Sequence, residues 1–151
     1  MFPSIADQIP ENIYTRRINQ DRELLMDIGV TSKLHKFQII PALLDSGANA
    51  TFINEAIAER LGLTLETLAN PIRIFNVDGS RNSAGDVTHA INITVDFLGH
   101  QEELHAEVTN LGKNSLILGY MWLKKHNPSI NWEKGLVKFN WCPCSCLMLQ
   151  D

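Results

Sequence analysis

The sequence predicts an all-β domain with a closed or sandwiched core and two short helices. Three observations carry this. Apolar residues alternate at period two in several segments. Turn signals recur about every ten residues. Helical spacing is confined to two stretches of seven and eight residues. A chain of 151 residues, 44% hydrophobic and 20% charged, is long enough for one domain with a sizeable core.

Met1 to about Asp21 is polar and irregular, with Pro3 and Pro10, and reads as an extension or linker (1–21). The domain proper is expected over 22–140, with a tail over 141–151. Leu24, Met26, Ile28 and Val30 alternate as the first strand. Phe37 to Leu44 is an apolar run whose Pro41 suggests an edge or a bulge. Asn54 can cap a helix over Asn54–Leu61, with Glu55 in its first turn, Ile57, Ala58 and Leu61 on one face, and Gly62 as its stop.

Thr64 to Asn70 reads as a connector ending at Pro71. Ile72 and Ile74 then share a strand face, and Asp78-Gly79-Ser80 is a hairpin-turn signal followed by a returning strand over Ser83–His89. Ile91, Ile93, Val95 and Phe97 alternate cleanly. Leu98-Gly99-His100 turns the chain into Leu104, Ala106 and Val108. Leu116-Ile117-Leu118 is a short buried strand closed by Gly119. A helix is expected over Tyr120–His126, ended by Asn127-Pro128. Ile130–Trp132 and Leu136–Phe139 form a last hairpin.

Composition excludes several classes. The formal net charge is -4 and no long basic run exists, which argues against a nucleic-acid platform. No apolar stretch approaches membrane-spanning length. Met1 to Arg17 lacks the basic-then-apolar order of a signal peptide, so the chain reads as intracellular, in the cytoplasm. The three cysteines, Cys142, Cys144 and Cys146, make a poor disulfide framework and an incomplete zinc site. A loosely ordered reduced tail is the plainer reading. The five histidines show no metal-binding spacing on one helix, and they read as ordinary surface or core residues.

Leu43-Leu44-Asp45-Ser46-Gly47-Ala48-Asn49-Ala50-Thr51-Phe52-Ile53 is the segment richest in chemistry. A carboxylate directly after an apolar strand is costly to ionise unless donors surround it. Ser46 offers a hydroxyl, and Gly47 a backbone free to take an unusual conformation. Asp-Ser-Gly also fits an ordinary turn. The apolar residues on both sides point instead to a loop set into a core. The chain has one such segment, so a two-carboxylate site needs a second copy of the chain.

Three ordered features resemble the retropepsin-like aspartic proteases, and most closely the protease segment in polyproteins of gypsy-type retrotransposons, including fungal ones. They are the loop Leu44-Asp45-Ser46-Gly47-Ala48, the flap-like Phe75-Asn76-Val77-Asp78-Gly79-Ser80, and Ile117-Leu118-Gly119 followed by Tyr120-Met121-Trp122-Leu123-Lys124-Lys125-His126-Asn127-Pro128-Ser129-Ile130-Asn131-Trp132. The likeness runs from about Glu23 to Phe139. Asn49 departs from it, where relatives often carry an acidic or hydroxyl residue. The Cys-containing tail resembles the junction that follows the protease in such polyproteins, and no reverse-transcriptase motif is present.

The resemblance implies a closed β-barrel and a homodimeric endopeptidase that processes a Gag-Pol-type polyprotein. Each chain donates Asp45 at a two-fold axis. Ser46 braces the loop across that axis, Gly47 accepts a substrate backbone donor, and Ala48 leaves room for the peptide. Val77, Asp78, Gly79 and Ser80 lie over an extended substrate, while Leu118 and Gly119 pack beneath the loop. No metal or cofactor is required, and neither nucleic acid nor membrane is a partner of the domain. Plainer readings exist for each: Asp78-Gly79 as a simple hairpin turn, Gly119 as a strand-to-helix corner, Trp122 and Trp132 as core or interface aromatics. A different class, a domesticated non-proteolytic module for dimerisation or peptide binding, is opposed by the intact Asp45-Ser46-Gly47.

Overall fold

The structure, a computed structural model, describes residues 14–15, 23–32, 37–62, 65–73, 85–97, 99–139 and 147–148. Its elements run β1 (Tyr14–Thr15), β2 (Leu25–Thr31), β3 (Phe37–Leu44), β4 (Phe52–Asn54), α1 (Glu55–Arg60), β5 (Glu66–Ile72), β6 (Val87–Phe97), β7 (His100–Thr109), β8 (Leu116–Leu118), α2 (Tyr120–His126), β9 (Ser129–Asn131), β10 (Leu136–Lys138) and β11 (Leu147–Met148).

Six strands close a ring in the order β7-β4-β8-β3-β2-β6, with β6 returning to β7. This is the closed barrel, and closure removes the exposed edges that an open sheet would carry. The period-two residues fill it. Met26, Ile28 and Val30 of β2, Ile91, Ile93 and Val95 of β6, and Leu104 and Ala106 of β7 are all buried. β5 and β11 extend the ring at β6 and β7, and a separate three-stranded sheet runs β1-β10-β9.

The edge expected at Pro41 is present, and no bulge accompanies it. β3 is an inner strand over Ala42–Leu44, paired with β2 on one side and β8 on the other, without a bulge in its pairing to β2. The Leu44 amide donates to the Leu24 carbonyl at 3.0 Å. Antiparallel pairs alternate, so Ala42 and Ile40 also bond toward β2, and Pro41 faces the other way. There β8 pairs only from Ala42 onward, so the missing N–H falls where no partner strand needs it.

One correction concerns Thr64 to Asn70. Residues from Glu66 onward form β5, which carries Pro71 and pairs with β6, its register shifting between Thr67 and Ile72. β5 is the outermost strand and almost wholly exposed, so it has no buried face to mark it in the sequence.

The helices follow the expectation. The Asn54 side chain accepts from the Ala56 amide at 3.2 Å, Ile57 and Ala58 are buried, and Gly62 leaves the helix at φ +62°. α2 covers Tyr120–His126 and ends at Asn127, which takes the left-handed conformation at φ 43° before Pro128. Among the described residues no helix is long and apolar enough to cross a membrane.

Candidate active site

β3 and β8 lie side by side in parallel, with Leu44 opposite Leu118. Their ends therefore emerge together, and the two apolar strands that each run toward a Gly lie paired in space. The Asp45 amide donates to the Leu118 carbonyl at 3.1 Å. From there residues 45–51 cross the mouth of the barrel to β4.

The loop is held by its own backbone and by α2. The Ala48 amide donates to the Asp45 carbonyl at 3.2 Å. The Tyr120 amide donates to the Ala48 carbonyl at 2.6 Å, and the Met121 amide to the Asn49 carbonyl at 3.1 Å. The first amides of a helix have no partner inside it, so they are free to grip an adjacent loop. Gly119 makes this approach feasible. A Cβ there would stand 2.6 Å from the Ala48 carbonyl oxygen and closer still to that of Ala50. Leu118 is fully buried beneath the loop. The far side is tied by the Glu107 amide to the Thr51 carbonyl at 2.9 Å, and by Asn54 Nδ2 to the carbonyls of Gly112 and Asn114 at 3.0 and 2.8 Å.

Asp45 is half-buried, and its Oδ1 accepts from the Gly47 amide at 2.9 Å. Gly47 reads in the sequence as a point of conformational freedom; its φ is not positive, so it does not take the left-handed backbone. Its value lies in lacking a side chain, because a Cβ would sit 3.1 Å from Asp45 Oδ1. Ser46 and Gly47 are exposed, and Ala48 is half-buried. The structure thus presents a carboxylate on a braced loop, accessible from outside. Val77, Asp78, Gly79 and Ser80 lie outside the described residues, as do Cys142, Cys144 and Cys146. The strands flanking the proposed flap are described, and they pair antiparallel through Ile72 and Val87.

Two features escaped the sequence reading. The first is a buried polar cluster. Glu102 of β7 receives His126 Nε2 at 2.9 Å and Trp122 Nε1 at 3.3 Å on Oε2, and Lys125 Nζ at 3.2 Å on Oε1. Burial pushes the Glu102 carboxyl up, but hydrogen bonding and charge from His126, then from Lys125, outweigh it and hold the group below its ordinary value. The spacing of Trp122 and His126, four apart on one helix, was the available signal. The second is an exposed apolar surface beside the loop. Tyr120, Met121 and Trp132 are 47%, 59% and 65% exposed. A groove of about 460 Å³ lies among Tyr120, Leu123, Ile130 and Trp132. Among the described residues no group of three or more His, Cys, Asp or Glu is placed to hold a metal ion.

The fold recurs in known structures. A retropepsin-like aspartic protease from Rickettsia conorii matches with a TM-score of 0.59 at 19% identity, covering 91% of this chain and 94% of that one. The retroviral protease-like domain of Ddi1 from Leishmania major matches with a TM-score of 0.53 at 22% identity, covering 83% and 94%. These likenesses establish the retropepsin-like barrel. The family model of the PEG10/RTL1 protease domain matches residues 41–146, from the end of β3 through the Asp45 loop and α2, and over this span, more than half of its length, the chain belongs to the PEG10/RTL1 protease domain family.

Proposed function

We propose that this chain is an aspartic endopeptidase that works as a homodimer on an extended peptide, in the manner of the protease of a gypsy-type retrotransposon polyprotein, including those of fungi. The observation that carries the reading is the Asp45 loop itself. One accessible carboxylate sits at a barrel mouth, on a backbone braced by Gly47, Leu118 and Tyr120.

A single chain supplies one such loop, so the site is completed by a second copy across a two-fold axis. The two Asp45 carboxylates then share one proton, because like charges that close do not both ionise. The ionised carboxylate takes a proton from a bound water, and the water oxygen bonds to the scissile carbonyl carbon. The protonated carboxyl gives its proton to the carbonyl oxygen. Collapse of the tetrahedral intermediate breaks the C–N bond: the leaving amine takes the proton of the protonated carboxyl while one hydroxyl of the intermediate gives its proton to the ionised one, which re-forms the carbonyl and returns the pair to one shared proton. No acyl-enzyme forms.

The substrate lies as an added strand, with Gly47 and Ala48 beneath it and Val77, Asp78, Gly79 and Ser80 over it. Ser46 braces the loops across the axis. The exposed Tyr120 and Met121 adjoin the loop, Trp132 lines the groove beside Tyr120, and the three are the surface on which the second chain seats.

The test is cleavage of a peptide pool at mildly acidic pH, with and without a pepstatin-type inhibitor. Inhibitor-sensitive cleavage at defined sites is expected. A folded, dimeric chain that cleaves nothing, yet retains peptides, would place it instead among domesticated binding modules.

A further inference from the structure

The Glu102 cluster joins two elements that sequence keeps apart. The carboxylate belongs to β7, and three donors that grip it, Trp122, Lys125 and His126, belong to α2. Glu102 is 3% exposed and His126 is fully buried. His126 Nδ1 faces the Trp122 carbonyl at 3.1 Å while Nε2 faces Glu102, so both ring nitrogens meet acceptors. The indole and imidazole rings stack at 4.0 Å, and Phe97 and Phe139 pack around them. An apolar contact of this size could slide. A carboxylate gripped by three donors has one low-energy arrangement.

The opposite end of α2 holds the active loop, through the amides of Tyr120 and Met121. The helix is seven residues long, about two turns, so its ends move together. We infer that Glu102 is a positioning residue for the active site. By pinning α2 to β7 it sets the register of the Tyr120 and Met121 amides against Ala48 and Asn49, and through them the placement of Asp45. The kinetic consequence rests on Asp45 being the catalytic carboxylate, whereas the mechanical linkage does not.

The experiment compares Glu102→Leu, Glu102→Gln and Trp122→Phe in the full chain. Leu removes both acceptor oxygens, Gln keeps the size and one acceptor oxygen, which can still serve His126 and Trp122, and Phe removes the indole donor together with one ring of the stack on His126. Amide hydrogen exchange is read at Tyr120 and Met121 and, as reference, at Ile91, Ile93 and Val95 of β6. In Glu102→Leu, exchange at Tyr120 and Met121 should accelerate about tenfold or more relative to β6. Glu102→Gln should stay within about threefold, and Trp122→Phe should fall between the two. On a cleavable peptide, Glu102→Leu should lower kcat about tenfold with KM within about twofold, and Gln should restore most of the loss.

Equal acceleration at β6 and α2, or unchanged protection at Tyr120 and Met121, overturns the linkage. If Glu102→Leu does not fold, Trp122→Phe decides alone, and wild-type protection there overturns the proposal. A wild-type chain without proteolysis defeats the catalytic reading of Asp45, while the exchange measurement still decides the linkage.

Discussion

The backbone amide of Tyr120 donates to the carbonyl of Ala48 at 2.6 Å, joining the first turn of α2 to the loop that carries Asp45. That contact exists because Gly119 brings no side chain between them. Gly119→Ala would force a Cβ against two backbone carbonyls that cannot rotate away. Overpacking of this kind costs about 3 kcal/mol. Urea unfolding should report a loss of that order, together with a large fall in proteolysis. Wild-type stability and activity in this variant would remove the loop-on-helix arrangement.

His100 is 1% exposed, and neither ring nitrogen has a hydrogen-bond partner among the described residues. Its ring stacks on Phe97 at 5.6 Å. Burial, and then the charge of His126, hold its pKa below the ordinary histidine value. The unfolded chain therefore binds more protons, so stability is full above about pH 6.5 and falls as the pH drops toward the folded value. His100→Leu should stabilise the chain by about 1–2 kcal/mol near neutrality, since an unsatisfied buried polar group carries a penalty of that size. It should also flatten the decline below about pH 6.5. Urea titrations of both chains across that range check this.

Glu102 titrates with the sign usual for a paired carboxylate. Its folded pKa is lowered, so its contribution is present above the ordinary glutamate value and is lost as the pH falls through the folded one. In a His100→Leu background, which removes the overlapping histidine, the added change Glu102→Gln should weaken the acid limb below about pH 4.5. An acid limb of unchanged steepness would mean that Glu102 is not held ionised by α2.

Trp132 is 65% exposed beside the groove near Tyr120. If this face seats the second chain, Trp132→Ser should weaken association by about thirtyfold, as for a buried aromatic anchor worth about 2 kcal/mol. Specific activity should then recover at high enzyme concentration. Sedimentation equilibrium alongside a dilution series of activity tests this, and an unchanged dimer would place the interface elsewhere.

Much of the fold was legible because its signals are local. Ile91, Ile93, Val95 and Phe97 alternate along β6 and all are buried, and Asn127-Pro128 marks the end of α2. The Asp45 loop announced itself by apolar residues on both sides. β5 was missed because an exposed edge strand has no apolar face, and its Pro71 imitates a break. Pro41 marked the edge half of β3, because β8 pairs only from Ala42 onward. Gly47 signals backbone freedom in the sequence, and the space it leaves for Asp45 Oδ1 shows only in the folded loop. The Glu102 cluster stayed hidden because its acceptor and donors lie 20 or more residues apart and meet only once α2 packs on β7.

The central claim is that two Asp45 carboxylates from two chains perform the chemistry. The most direct measurement is the activity of Asp45→Asn, alone and mixed with wild type, on one defined peptide, with sizing of each sample. Asn keeps the size and can still accept from Gly47, but it removes the charge that activates water. The account predicts a folded dimer with no detectable cleavage, mixed dimers that are also inactive, and stability near neutral pH equal to or above that of wild type, since carboxylate repulsion at the axis is relieved. Asp78→Asn, at the proposed flap, should lose far less. Near-wild-type proteolysis by Asp45→Asn, or undiminished specific activity from a stable wild-type monomer, would contradict the account.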